Sequence, residues 1–358
     1  MSAEVLTYPC AGCGASMSFD AATQGLACPQ CGGKTPVALP RTELEEQDLE
    51  AALAAGEGKA AEPGSRRLKC PGCAAEIRAS EGLEARPCPF CGAAEVMADV
   101  PGDGVLPPEG VLPFKVDRSA SSEIFRKWVS SRWFAPSALK KLSRAELLRG
   151  VYVPFWTFDA SADSSWTALS GTYYYTTETY RDAQGNTHVR EVRHVRWWPS
   201  SGRHAGAYDD VPVCASRGLP DALLSGIEPF DLKAAAAYEP KCLAGWEAEA
   251  CQVALRDAWT TASGRMRTAE ERACDAQVPG DTHMGLSVRT ALSDLRFKPI
   301  LLPVWIAAYR YGEKDYRFLV NGMTGAVKGE SPWSAWKVSI AAAVVLGLTA
   351  LGIWLANR

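Results

Sequence analysis

Apolar and polar positions change pattern several times along this 358-residue chain, and the last change is the sharpest. Residues 338–356, VSIAAAVVLGLTALGIWLA, contain no charge. As a helix rising about 1.5 Å per residue, that run just crosses a bilayer core of roughly 30 Å. Trp333, Trp336 and Trp354 fall where interfacial aromatic belts lie, and Lys337 and Arg358 close the span on either side. A core helix this uniformly apolar would need later elements to pack against, and only Asn357 and Arg358 follow. Residues 331–358 are therefore expected to be a single transmembrane anchor, with almost the whole chain on one side of the membrane.

Residues 112–330 read as an α+β domain rich in antiparallel hairpins. Residues 151–156 (VYVPFW) and 300–305 (ILLPVW) are near-copies, each with proline two places before tryptophan, which suggests an internal duplication. Proline cannot donate to a ladder, so both strands are expected to begin there or to lie at a sheet edge. The runs TYYYTTETY and THVREVRHVRWW flank residues 182–186 (DAQGN) and predict a long hairpin. In its second arm, Arg190, Arg193 and Arg196 are spaced by three, which fits neither a helix nor a strand period cleanly. Residues 243–276 predict a helix with Val253, Leu255, Ala258 and Trp259 toward a core. A second hairpin spans 309–320, and Asn321-Gly322 begins the next turn. Residues 126–149 hold seven basic side chains interleaved with Trp128, Trp133 and Phe134. Two helices broken at Pro136, with aromatics inward, are the preferred reading over a surface on anionic lipid.

The N-terminal third differs in composition. Alanine- and glutamate-rich residues 41–56 predict a short exposed helix anchored by Leu44, Leu49 and Leu53, followed by a linker at 57–67. A Pro/Gly linker covers 101–111. Through residue 111 there are 8 Lys+Arg against 16 Asp+Glu, a surface that repels phosphates, so nucleic acid is not an expected partner.

The same third carries the candidate chemistry. Cys10-x2-Cys13…Cys28-x2-Cys31 and Cys70-x2-Cys73…Cys88-x2-Cys91 repeat one frame 60 residues apart, with fourteen residues between pairs in each. Each second pair reads Cys-Pro-x-Cys-Gly, a tight turn whose amides can point at sulfur. This spacing lets two knuckles meet tetrahedrally around Zn2+, giving a zinc ribbon at 1–40 and another at 68–100, separated by 41–67. Iron is the other ion four thiolates hold; the short loops and the duplication favour zinc. A full thiolate shell leaves no open position, so two zinc ions would be structural. Thiolates also want a reducing compartment, and no export signal is visible in MSAEVLTYPC, so the bulk is expected to face the cytoplasm from the inner membrane.

Enzyme motifs are not found. Gly32-Gly33-Lys34-Thr35 matches the tail of a phosphate loop, but Cys28 occupies the position of its leading glycine. His188, His194, His204 and His283 form no metalloprotease frame, and Cys214, Cys242, Cys251 and Cys274 are scattered singly, as buried inert thiols are. Asp209 and Asp210 are adjacent and in a strand would face opposite ways. No catalytic residue is assigned.

Residues 150–160 (GVYVPFWTFDA), 301–311 (LLPVWIAAYRY) and 320–330 (VNGMTGAVKGE), with the cysteine frames and the tail, resemble a family of bacterial zinc-ribbon, C-terminally membrane-anchored proteins commonly labelled primosomal helicase-like. Met323 and Ala326 depart from the polar residues expected in the final turn. The resemblance implies a place beside SPFH (flotillin-like) or phage-shock-type proteins in envelope-stress assemblies. The expectation is a non-enzymatic adaptor, its ribbons on a flexible arm offered to a protein partner. A membrane-tethered nucleic-acid-binding protein associated with DNA replication is the alternative.

Overall fold

A computed structural model of the chain describes residues 8–20, 25–37, 44–56, 66–70, 75–79, 88–90, 98–100, 108–136, 148–244, 246–311 and 314–356. The fold is α+β. Strands β1 (Ser18–Asp20), β2 (Gly25–Ala27) and β3 (Lys34–Pro36) form a small antiparallel sheet of their own. Then come β4 (Gln47–Asp48), α1 (Leu49–Ala55), β5 (Arg66–Lys69), β6 (Glu76–Ala79), β7 (Ala98–Val100), β8 (Gly110–Val111) and α2 (Arg118–Ser131). Two long strands follow, β9 (Leu148–Arg181) and β10 (Thr187–Cys214), and after them α3 (Asp221–Leu224), β11 (Ala236–Ala237) and β12 (Glu247–Glu249). The last elements are α4 (Leu255–Asp275), β13 (Thr282–Tyr311), β14 (Lys314–Asn321), β15 (Val327–Gly329) and α5 (Ala335–Ala356).

The two near-copy runs lie side by side at the centre of the large sheet, with Val151 opposite Val304 and Val153 opposite Leu302. Being apolar at every position, they bury both faces. Val151, Val153 and Phe155 share one cluster with Ile300, Leu302 and Val304, while Tyr152, Leu301 and Trp305 pack on the other side with Phe125 and Trp128 of α2. The proline rule thus predicts the wrong place for these strands. Pro154 sits where the outer partner of β9 changes from β12, opposite Val151 and Tyr152, to β10, which begins opposite Phe155. Pro303 sits at the matching change on β13, from β8 at Ile300 and Leu301 to β14 at Val304. Neither ring interrupts a ladder, and the shared arrangement agrees with the duplication in sequence.

Beyond this base, β9, β10 and β13 continue as a three-stranded arm. Along β9 the buried residues are Ala160, Ala162, Ser164, Trp166, Ala168 and Ser170, the period of two expected of a half-covered sheet. Helix α4 supplies the cover with a stripe at four-residue spacing, Ala258, Ala262, Met266, Glu270 and Cys274. Thr282 pairs with Gly171, so β13 starts there and only β9 and β10 run on to the turn. Asp182 closes that turn by accepting from the amides of Gln184 and Asn186, with Gly185 at φ 86°. The three-residue arginine spacing is resolved by the ladder. Arg190 and Arg196 share a face, over Tyr180 and Tyr174, and Arg193 covers Tyr173 on the opposite face.

Several expected elements differ. The helix expected over 243–276 begins only at Leu255, because residues 247–249 are drawn into the sheet as β12, parallel to β9 and antiparallel to β6. α1 is likewise short, capped by Asp48, whose carboxylate accepts from the Ala51 amide; Gln47 and Asp48 pair with β13. Trp128 is inward as expected, but Trp133 and Phe134 are exposed past the end of α2. The second helix expected after Pro136, the linker at 57–65 and residues 101–107 lie outside the described residues. Asn321 organises the turn that follows β14. Fully buried, it donates to the carbonyls of Ile227 and Pro229 and accepts from the amides of Met323 and Thr324. Helix α5 includes a run, Ser339–Ala356, long and apolar enough to cross a membrane, and none of it is buried.

Candidate metal centre

Cys10, Cys13, Cys28 and Cys31 converge, with all four sulfurs within 4.8 Å of one another. Cys10 and Cys31 Sγ are 3.4 Å apart, as are those of Cys13 and Cys28. Four sulfurs about 2.3 Å from a central Zn2+ would be about 3.8 Å apart, so the set fits a tetrahedral metal with a slight expansion. The knuckles are built for this. Gly14 and Gly32, each directly after a cysteine pair, adopt φ of 73° and 72°, and their amides donate to the carbonyls of Cys10 and Cys28. A Cβ at Gly33 would stand 3.4 Å from the sulfurs of both Cys10 and Cys31. Amides aimed at sulfur favour the thiolate: those of Cys31 and Gln30 bring Cys28 down to about 6, and those of Gly12 and Cys13 lower Cys10. With all four positions filled by protein, such a metal has no place for substrate water.

Around this centre Met17, Phe19 and Leu26 make a small core that docks on the body through Trp246. The Trp246 Nε1–H donates to the Phe19 carbonyl at 2.8 Å, and the Phe19 amide donates to Ala244 O at 2.8 Å. Phe114 stacks on Trp246, centroids 4.2 Å apart. The four-cysteine unit is therefore seated on the body and does not hang on an arm.

In the second frame, Cys70 and Cys88 are described and buried, while Cys73 and Cys91 lie outside the described residues. The knuckle bond recurs: the Cys70 amide donates to Ala75 O at 2.9 Å, as the Cys10 amide does to Ala15 O at 2.8 Å. Here, though, Cys70, Cys88 and Phe90 belong to the main core with Val151, Val153 and Leu302, and β6 pairs with β12. Glu249, buried beside this frame, accepts from Ser216 Oγ at 2.6 Å. Burial pushes its carboxyl up to about 8 against the lowering by that bond, and the Cys88 sulfur adds to the rise.

Two further clusters were not foreseen. A bulge at 208–211, with Asp210 at φ 56°, turns Asp209 and Asp210 to the same side, so their carboxylates gather with that of Asp159. The cation there is already present: Lys298 Nζ lies 2.8 Å from Asp210 Oδ1 and 2.9 Å from Glu46 Oε1. Under α4, buried Glu270 lies 2.8 Å from His204 Nδ1 and accepts from Ser164 Oγ at 2.7 Å and Tyr208 Oη at 2.8 Å. Burial works to raise its pKa, but these partners outweigh that and lower it. Ser164 is fully buried, so the group locks helix to sheet and offers no nucleophile. Its one trace in the sequence is a glutamate on an otherwise small, apolar four-residue stripe. Of the other histidines, His188 lies 2.8 Å from Asp182, His283 the same from Asp275, and His194 2.7 Å from Thr176. Cys242 and Cys274 are buried, with thiol pKa values raised by burial; Cys214, half-buried, is raised the same way.

No family model matches the chain, and no solved structure matches it. It is similar to the uncharacterized protein YdjG of Bacillus subtilis (strain 168), 25% identical over 354 residues, covering 99% of this chain and 98% of that protein.

Proposed function

We propose that this protein is a non-enzymatic adaptor of the inner membrane, with α5 spanning the bilayer, its body in the cytoplasm and two structural zinc ions held by Cys10, Cys13, Cys28 and Cys31 and by Cys70, Cys73, Cys88 and Cys91. The observation that carries this is the orientation of the first centre. Its Met17–Phe19 face is seated on the body, while Cys13, Cys31 and the knuckle residues 11–14 and 29–32 face solvent. A closed metal shell turned outward presents a rigid surface and performs no chemistry on it. The resemblance of residues 150–160, 301–311 and 320–330 to zinc-ribbon membrane proteins points to a protein partner of the SPFH or phage-shock type.

The test is a paired measurement on detergent-solubilised membranes. The full chain is expected to carry two zinc ions and to co-purify with a defined protein. Cys10→Ser with Cys13→Ser should lose one zinc and that protein while staying in the membrane fraction. Retention of the partner by this variant would remove the first ribbon as the presenting surface. Salt-sensitive, micromolar binding of DNA or RNA by the full chain would favour the nucleic-acid alternative.

A further inference from the structure

We propose that the end of α2 and the entry to α5 together form a second membrane contact, an interfacial footprint for anionic lipid headgroups centred on Trp133, Phe134, Trp333 and Trp336. The inference rests on the reading of α5 as a membrane span and adds how the body sits on the bilayer.

Three separate ties fix residues 133–135 against the first turn of α5. The Ser334 amide donates to Phe134 O at 2.8 Å, and Lys337 Nζ donates to Ala135 O at 2.7 Å and Trp133 O at 3.4 Å. The rings of Phe134 and Trp333 stack with centroids 6.1 Å apart. The apolar run begins at Ser339, two residues past Lys337. That is about 3 Å along a helix axis. A headgroup layer is roughly 5–8 Å deep on each side of the hydrocarbon core, so the tied segment lies within it.

The side chains there suit that layer and would be misplaced elsewhere. Trp133 is 82% exposed, Trp333 74% and Trp336, in the first turn of α5, 62%. Large amphipathic rings held at an interface, apolar body toward the acyl chains and N–H toward water, are the composition of an aromatic belt. The charge next to them is positive: Arg126, Lys127 and Arg132 are exposed in the last two turns of α2 and just after it, and Arg132 is held over the Trp128 ring at 4.8 Å. Glu123 makes a loose exposed pair with Arg126 at 4.0 Å. Aromatic rings beside clustered basic side chains select anionic over zwitterionic headgroups.

The test uses the full chain in nanodiscs of phosphatidylcholine alone or mixed with phosphatidylglycerol, with a photoreactive diazirine residue placed at position 133, at 175 in the arm, or at 345 in mid-helix. Lipid adducts are expected at 133 and 345 and not at 175. Yield at 133 should be several-fold higher with phosphatidylglycerol, and Arg126→Gln, Lys127→Gln and Arg132→Gln together should erase that preference while the adducts at 345 persist. Adducts at 345 without adducts at 133 would overturn the footprint and leave the anchor standing. No adduct at 345 would overturn the anchor itself. Equal yield at 133 in both lipids would overturn the choice of anionic headgroups.

Discussion

In the first cysteine frame Cys10 and Cys28 are buried in a small core of the unit's own, with Met17, Phe19 and Leu26, whereas in the second Cys70 and Cys88 are buried in the main core among Val151, Val153 and Leu302. The spacing is the same in both, so the difference comes from the neighbours each copy was given. The first makes a private three-stranded sheet; the second joins its β6 to β12 and covers one face of the central strands. A duplicated local motif can thus serve once as a surface module and once as part of a domain core.

The most forceful way to break this comparison is to destroy each frame in turn. Cys70→Ser with Cys73→Ser should abolish cooperative unfolding of the body, since the metal term, on the order of 10 kcal/mol, matches the whole stability of an ordinary domain. Cys10→Ser with Cys13→Ser should leave the midpoint of the body in place and open only residues 8–37 to protease. Identical unfolding curves for the two variants would refute the asymmetry. Next in size, Phe90→Ala should cost the body about 3–5 kcal/mol in chemical denaturation, while Phe19→Ala should leave the body's transition unmoved. A chelator followed by absorbance should then take zinc in two phases, the fast one belonging to the first frame and disappearing in the Cys10→Ser, Cys13→Ser variant. A single phase would mean that packing the second frame into the main core gives it no protection. The smallest effect is expected at the seat of the first ribbon. Trp246→Phe keeps an aromatic ring against Phe114 but removes the bond to Phe19 O, about 1 kcal/mol, and should raise protease cleavage of residues 8–37 without loss of metal.

What could be read in the sequence was whatever its own neighbours decide. The cysteine spacing of the first frame, the turn at 182–186 and the apolar tail are local signals, and a four-cysteine cluster, a hairpin and an apolar helix stand where they point. What could not be read depends on partners far along the chain. Residues 247–249 look helical until β6 and β9 claim them, and Asp209 and Asp210 look divergent until the bulge opposite Asp159 turns them together. The proline rule failed for a similar reason: it assumes a ladder with one partner per side, and both strands change partners at the proline. Glu270 was invisible because its worth lies in Ser164, His204 and Tyr208, which are 106, 66 and 62 residues away.

The direction of the strands has one further consequence. β15 is antiparallel to β14 and so runs with β13, away from the hairpin tip, carrying the chain toward α5 at the opposite end of the sheet from residues 182–186. Strand β9 covers that distance with 34 residues, a contour of roughly 110 Å at 3.3 Å per residue. On the proposed reading of α5 as a membrane span, the turn at 182–186 is the end of the sheet remote from the bilayer. The tyrosines and arginines of the arm, Tyr173, Tyr174, Tyr180, Arg190, Arg193 and Arg196, would then be offered to the surrounding solution and not to lipid.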